Sequence, residues 1–163
     1  MQGMQRACKM TATCGPCTEC CHVMKVEMVP QKPAFSNCVN CTSRGCNVYA
    51  ERPTPCREFE CLWLAAQNRL QHIMPRNLRP DQSGVVMEIN THGNIIAHCR
   101  FPDAWKRQPM LSFLLEQASL RSVIIERNGK EPAVLDPTGC LEELEFIGVD
   151  QQSNERMYIR AQH

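Results

Sequence analysis

A chain of 163 residues is long enough for one ordinary domain, or for a metal-held module joined to a small core-forming unit, and little more. Its formal net charge is +1 at pH 7, with basic residues dispersed among similar numbers of acidic ones, so nothing announces a nucleic-acid partner. The opening stretch Met1–Arg6 has no apolar signal-peptide core, and no segment approaches the roughly 18 apolar residues of a membrane span. The expectation is a soluble, cytoplasmic protein with no membrane association.

Twelve cysteines would suggest a disulfide framework in an exported chain. In a reducing cytosol, clustered thiols are more often metal ligands or redox groups. They crowd the first part of the chain, at Cys8, Cys14, Cys17, Cys20, Cys21, Cys38, Cys41, Cys46, Cys56 and Cys61, while Cys99 and Cys140 stand apart. The same region holds Pro16, Pro30, Pro33, Pro53 and Pro55 and shows neither helical nor strand periodicity. Apolar burial alone would not order it, so metal is expected to supply the staples.

Within this region Cys14-Gly-Pro-Cys17-Thr-Glu-Cys20-Cys21 is a C-x2-C-x2-C-C run. The two-residue spacing lets sulfurs approach one metal across a tight turn. A second array, Cys38-x2-Cys41 followed by Cys46, Cys56 and Cys61, brings ligands from other points of the chain, as tetrahedral thiolate coordination requires. The candidate ligands are therefore Cys14, Cys17, Cys20, Cys21, Cys38, Cys41, Cys46, Cys56 and Cys61. Adjacent residues such as Cys20 and Cys21 usually point in different directions, which favours two sites or a polynuclear centre over one mononuclear ion. Cys8 is a reserve ligand. His22 is expected to be a solvated loop histidine, and Arg52 and Arg57 either offset thiolate charge or lie in solvent. Tyr49, Phe59 and Trp63 are expected to form an apolar cover.

After Cys61 the pattern changes. Leu62, Trp63, Ala66, Leu70 and Ile73 recur at helical spacing before Pro75, which predicts a packing helix. Residues 85–89 and 95–99 flank Thr91-His92-Gly93-Asn94, and residues 123–126 and 133–135 are joined through Asn128-Gly129. Both pairs read as hairpins, the second closed by a primed turn. Pro132 is expected to put its strand at a sheet edge. Pro109 opens a helix with Leu111, Leu114, Leu115 and Ala118 on one face. Residues 144–149 and 157–160 read as two further strands. Cys99 and Cys140 are expected to be small buried hydrophobes away from the metal centre.

The fold class expected is α+β: an irregular, metal-stapled, cysteine-rich N-terminal half, then a small, mostly antiparallel sheet with one or two helices. Residues 8–61 form the expected cysteine-cluster metal-binding module, and residues 62–163 the packing helix plus a small α+β domain.

The cysteine pattern also resembles a known family. The C-x2-C-x2-C-C run, Gly45-Cys46-Asn47-Val48-Tyr49, and Glu51-Arg52-Pro53-Thr54-Pro55-Cys56-Arg57-Glu58-Phe59-Glu60-Cys61 look like the signature of the CxxCxxCC-type zinc- or iron-chelating cysteine-cluster proteins. That family includes the cluster region of flagellin lysine N-methylases. The resemblance covers about residues 14–61, with weaker similarity through Leu78-Arg79-Pro80-Asp81, and implies metal rather than a particular reaction. Zinc is the expected cofactor and a [4Fe-4S] cluster the alternative, because thiolate-only ligation suits both and the Cys-Pro that closes a bacterial ferredoxin run is absent. There is no phosphate loop, H-E-x-x-H or G-x-S-x-G motif. A filled thiolate site has no open position for catalysis. The expectation is thus a non-enzymatic metal-binding protein with a structural or regulatory role and an unidentified protein partner, and the alternative an iron-sulfur protein in electron transfer or a redox or modification system.

Overall fold

The computed structural model describes residues 12–27, 29, 32–69, 74–153 and 155–161. Cys8, and Leu70 and Ile73 of the expected packing helix, lie outside the described residues. The protein is mixed α+β, with a six-stranded, mostly antiparallel sheet.

The first half is built from short pieces: helix α1 (Glu19–Val23), a minimal hairpin of β1 (Cys41–Thr42) and β2 (Gly45–Cys46), and helix α2 (Thr54–Glu58). Prolines punctuate them. Pro53 precedes α2 and Pro55 lies in its first turn, where a missing N–H removes no intrahelical bond. Helix α3 (Leu62–Asn68) follows with Cys61 at its N-cap. Helix α4 (Pro80–Ser83) again begins with proline and ends at Gly84, whose φ of 70° lets its N–H close back on the Pro80 carbonyl at 2.8 Å. This fourth helix has too little periodicity to be read from sequence.

Strands β3 (Val85–Ile89) and β4 (Ile95–Cys99) form an antiparallel hairpin, then helix α5 (Met110–Ala118) carries the chain over to β5 (Val123–Arg127), which lies parallel to β4. Strands β6 (Ala133–Leu135), β7 (Leu141–Val149) and β8 (Arg156–Arg160) are added in turn by antiparallel pairing. Three of the turns are organised by a side-chain carboxyl or amide oxygen that accepts downstream backbone N–H groups. Asn90 serves His92 and Asn94, Asp136 serves Thr138 and Cys140, and Asp150 serves Gln152 and Ser153.

Alternation sorts the strands into two faces. Val85, Met87, Ile95, Ala97, Cys99, Val123, Ile125 and Leu135 pack with Met110 and Leu114 of α5, Leu62 and Ala66 of α3, and Trp105. Residues of the opposite face include Val86, Glu88, His98 and Glu126, and the β7–β8 ribbon reaches back to it. Glu155 accepts the backbone N–H and hydroxyl of Thr91 in the β3–β4 turn, and the Tyr158 hydroxyl donates to Glu126 at 2.9 Å.

Several expectations change. Strand β6 pairs with β5 on one side and β7 on the other, so Pro132 does not mark an edge. It precedes the first ladder residue, where it lacks no needed N–H and its carbonyl still accepts from Leu144 at 2.8 Å. The β5–β6 connection spans residues 128–132, and only Gly129 in it takes a positive φ; this is not a two-residue primed turn, which needs positive φ at both centres. Cys99 is buried as expected, but Cys140 is exposed, since its N–H is used in the Asp136 turn that projects from the sheet.

The second face contains a buried charge. His98 lies between Glu88 (Nε2 to Oε1, 2.9 Å) and Glu126 (Nδ1 to Oε2, 2.9 Å). Two carboxylates on two ring nitrogens require the doubly protonated imidazolium. Burial would lower the His98 pKa, but the bonds to Glu126 and Glu88 outweigh it and raise the value to about 9. The folded value lies above the ordinary 6.5, so this stabilisation is complete below that pH and is lost as pH rises through about 9. Substituting His98→Gln is expected to lower the unfolding free energy by about 3 kcal/mol at the acidic end, because the buried Glu126 and the partly buried Glu88 lose their cation. Urea unfolding of both proteins across this range checks it: the gap must shrink toward high pH, and a constant gap means the ring is neutral.

Candidate metal centre

The short segments before α3 surround one cavity of about 200 Å³. Its wall carries Cys14, Cys17, Cys20, Cys21, Cys38, Cys46, Cys56 and Cys61, eight of the cysteines singled out above. Cys41 does not line it, but is paired with Cys46 across the β1–β2 hairpin, and its thiol donates to the Thr42 carbonyl at 3.9 Å. Every described cysteine is a free thiol. Cys99 and Cys140 are not among the lining residues.

Local geometry explains how separated residues reach one wall. Cys17 N–H bonds the Cys14 carbonyl at 3.1 Å, closing a turn whose first central residue, Gly15, has φ of 55°. That left-handed start suits glycine and turns both sulfurs the same way. Cys38 N–H bonds the Cys21 carbonyl at 3.0 Å, and Cys41 N–H bonds the Cys38 carbonyl at 3.0 Å, so the second array hangs directly from α1. Cys56 lies within α2 and Cys61 caps α3. Cys20 and Cys21, adjacent in α1, both line the cavity.

The electrostatics are those of thiols withdrawn from water. Burial pushes the pKa of Cys14, Cys17, Cys41 and Cys56 up, and that of Cys61 up to about 11. Cys20 is also raised, first because it donates to Cys21 and then by burial. Cys21 goes the other way, drawn down first by the hydrogen bond from Cys20, with Cys41 adding a second. The bare cavity therefore favours neutral thiols around one stabilised thiolate. Arg52 and Arg79 oppose the rise at Cys14.

Apolar residues close the remaining wall. Tyr49, Phe59 and Trp63 line it as the sequence suggested, joined by Met24, Val29, Val48, Leu64 and Val86 of β3. Helix α3 thus serves two layers: Leu62 and Ala66 enter the sheet core, while Trp63 and Leu64 face the cavity. Arg52 lies 3.7 Å over the Tyr49 ring and lines the cavity, whereas Arg57 bonds Thr54 at the surface. His22 is not a lining residue and bonds the Asn37 side chain.

Two links tie this wall to the sheet. Arg100, just beyond β4, pairs with the buried Glu19 of α1 at 2.7 Å. Arg79 donates to the Cys14 carbonyl at 2.6 Å, pairs with Asp81 at 3.0 Å and lies 5.4 Å over the Trp63 ring. Sequence reasoning missed Arg79, and also Lys32, a buried lysine that lines the cavity; nothing in the pattern separates either from an ordinary surface cation.

Does this wall suit a metal centre? The donor set does, in number and softness, but the thiols surround a space rather than a point. Among the described residues, no three His, Cys, Asp or Glu side chains stand arranged to hold an ion as they are. Ligation would require cysteine side chains to rotate inward about χ1 to bonds of about 2.3 Å. Also among the described residues, no helix is long and apolar enough to cross a membrane. Comparison with protein-family models, curated proteins and solved structures finds no match to this chain.

Arg79 carries the most specific architectural consequence. Replacing it by Lys keeps the charge but loses the forked geometry that reaches carbonyl, carboxylate and ring together. Expected is a loss of about 1–2 kcal/mol in stability and faster amide exchange around residues 14–17. Hydrogen exchange mapped by peptide checks this, and unchanged protection there would mean the three contacts are dispensable.

Proposed function

We propose that the protein is a thiolate metal-binding protein whose first half folds around a polynuclear zinc centre with a structural or regulatory role. The observation that carries this reading is the meeting of eight free thiols, drawn from separate short segments, on the wall of one cavity of about 200 Å³. A mononuclear four-thiolate site contracts around its ion and needs neither that many sulfurs nor that much space. Cys14, Cys17, Cys20, Cys21, Cys38, Cys46, Cys56 and Cys61 would hold the metal, and the pairing of Cys41 with Cys46 across the β1–β2 hairpin makes Cys41 the ninth candidate. The resemblance to CxxCxxCC-type cysteine-cluster proteins points the same way.

Bound zinc would supply charge compensation and cross-linking where the sequence offers few apolar groups. The chain's own residues do the rest. The Gly15 turn, α1 and the Cys61 cap aim sulfurs at the cavity, and the apolar cover restricts water, which strengthens thiolate coordination and hinders exchange. Because burial holds most of these thiols protonated, loading must displace protons, and affinity must fall in acid.

Purification without oxygen, followed by metal analysis and a visible spectrum, tests the proposal. The expected product is colourless, carries more than one zinc per chain and resists alkylation at the nine candidate cysteines until a chelator is added. Brown protein with iron and labile sulfide would replace zinc by an iron-sulfur cluster, and reduced protein that takes up no metal would refute the reading. Chelation is also expected to raise hydrogen exchange first within residues 14–61, with residues 85–160 protected by their own core. Simultaneous loss in both regions would make the cysteine wall part of one cooperative unit.

A further inference from the structure

The last strand of the sheet is an edge. Among the described residues β8 pairs only with β7, in a sheet whose order runs from β3 to β8. Its backbone alternates regularly: the Glu155 carbonyl accepts from the Asp150 N–H at 2.8 Å, and the Ala161 N–H donates to the Glu143 carbonyl at 3.1 Å. Odd-numbered residues therefore turn their backbone groups to β7, and Arg156, Tyr158 and Arg160 turn their N–H and C=O groups to the open side. Such an edge accepts another extended chain unless charge, proline or a bulge prevents it. Strand β8 contains no proline, and the bulge of this ribbon lies in β7, between Phe146 and Gly148.

The side chains give this edge a pattern. Tyr158 points to the sheet, where its hydroxyl donates to Glu126 and its ring meets that of Phe146 at 5.9 Å. Alternation sends Met157 and Ile159 to the outer face, where they are 39% and 45% exposed. Arg156 and Arg160 flank this apolar centre. Each has one carboxylate partner, Glu126 at 3.6 Å and Glu142 at 3.1 Å, yet their side chains remain 58% and 73% exposed. A second copy of the chain is a poor occupant. Antiparallel pairing centred on Tyr158 sets Arg156 opposite Arg160 at both ends, and like charges directly opposite are destabilising.

We propose that the free edge of β8 is a docking site for an extended segment of another protein, one with two acidic residues four positions apart and three apolar residues between them. The added strand sets its carboxylates across from Arg156 and Arg160 and its apolar residues across from Met157, Tyr158 and Ile159. Backbone hydrogen bonds supply affinity, while the charge at both ends selects acidic segments and rejects a second β8. The site lies in the sheet half and does not depend on the metal-binding reading.

The test titrates a fluorescent, end-capped peptide, Ser-Glu-Val-Phe-Val-Glu-Ser, with the full chain. Saturable binding is expected, with a Kd below about 1 mM. It is expected to weaken about tenfold or more in the folded double variant Arg156→Glu, Arg160→Glu, which replaces two attractive cross-strand pairs by repulsive ones. A second peptide with Lys in place of both Glu residues is expected to bind that variant and not the wild type. Methylating the peptide amides on alternate residues distinguishes an added strand from a sticky surface: one set must abolish binding and the other spare it. The proposal is overturned by no saturable binding, by equal affinity of wild type for the two peptides, or by equal loss from both methylated sets. It is also overturned by a wild-type dimer that Arg156→Glu alone tightens, since that result makes a second β8 the occupant. Should the double variant not fold, Arg160→Glu alone, at the more exposed position, is read against the two peptides in the same way.

Discussion

A segment lined with sulfur instead of methyl groups is difficult to close. Thiols are small and weakly hydrophobic, and once ionised they repel one another, so the cavity behind Cys14–Cys61 gains little from being emptied of water. The rest of the first half answers that difficulty. Turns held by backbone bonds fix where each cysteine leaves the chain, prolines set the start of α2, and an apolar rim from Val29 to Trp63 excludes solvent where the sulfurs cannot. Each device limits backbone freedom locally, which is what a segment without its own core needs.

The sheet gives this wall a foundation. Val85 and Met87 of β3 face the main core, while Val86 between them lines the cavity. A single strand therefore belongs to both regions, and the Glu19–Arg100 and Arg79–Cys14 contacts brace the same border. Helix α3 repeats the arrangement, with one side in each layer.

Charge is handled in different ways in the two halves of the chain. In the sheet, His98 is surrounded by Glu88 and Glu126 and gains a proton. In the cysteine half, Lys32 is buried on the cavity wall and its ammonium donates to the Met24 and Pro33 carbonyls. The first arrangement holds a buried cation between carboxylates, and the second holds one on neutral acceptors.

The sequence by itself determined the two hairpins β3–β4 and β5–β6, the helix after Pro109, the last two strands and the thiols of the first half as a set. These are local matters: β-branched runs broken by Asn, Asp and Gly, one amphipathic stripe, and cysteines at turn spacing. Tertiary structure decided what local chemistry cannot reach. Pro132 reads as an edge residue until β7 is seen to pair beyond β6, because an unpaired edge is a property of the neighbouring strand. Cys140 reads as buried until its turn is placed outside the sheet. Lys32 and Arg79 carry no local signal of their partly or fully buried positions, since a charged side chain is withdrawn from water only when distant segments close over it. The same reason separates the ligand set from its geometry: spacing names the sulfurs, and only the packing of α1, α2 and α3 against β3 decides which of them share a wall.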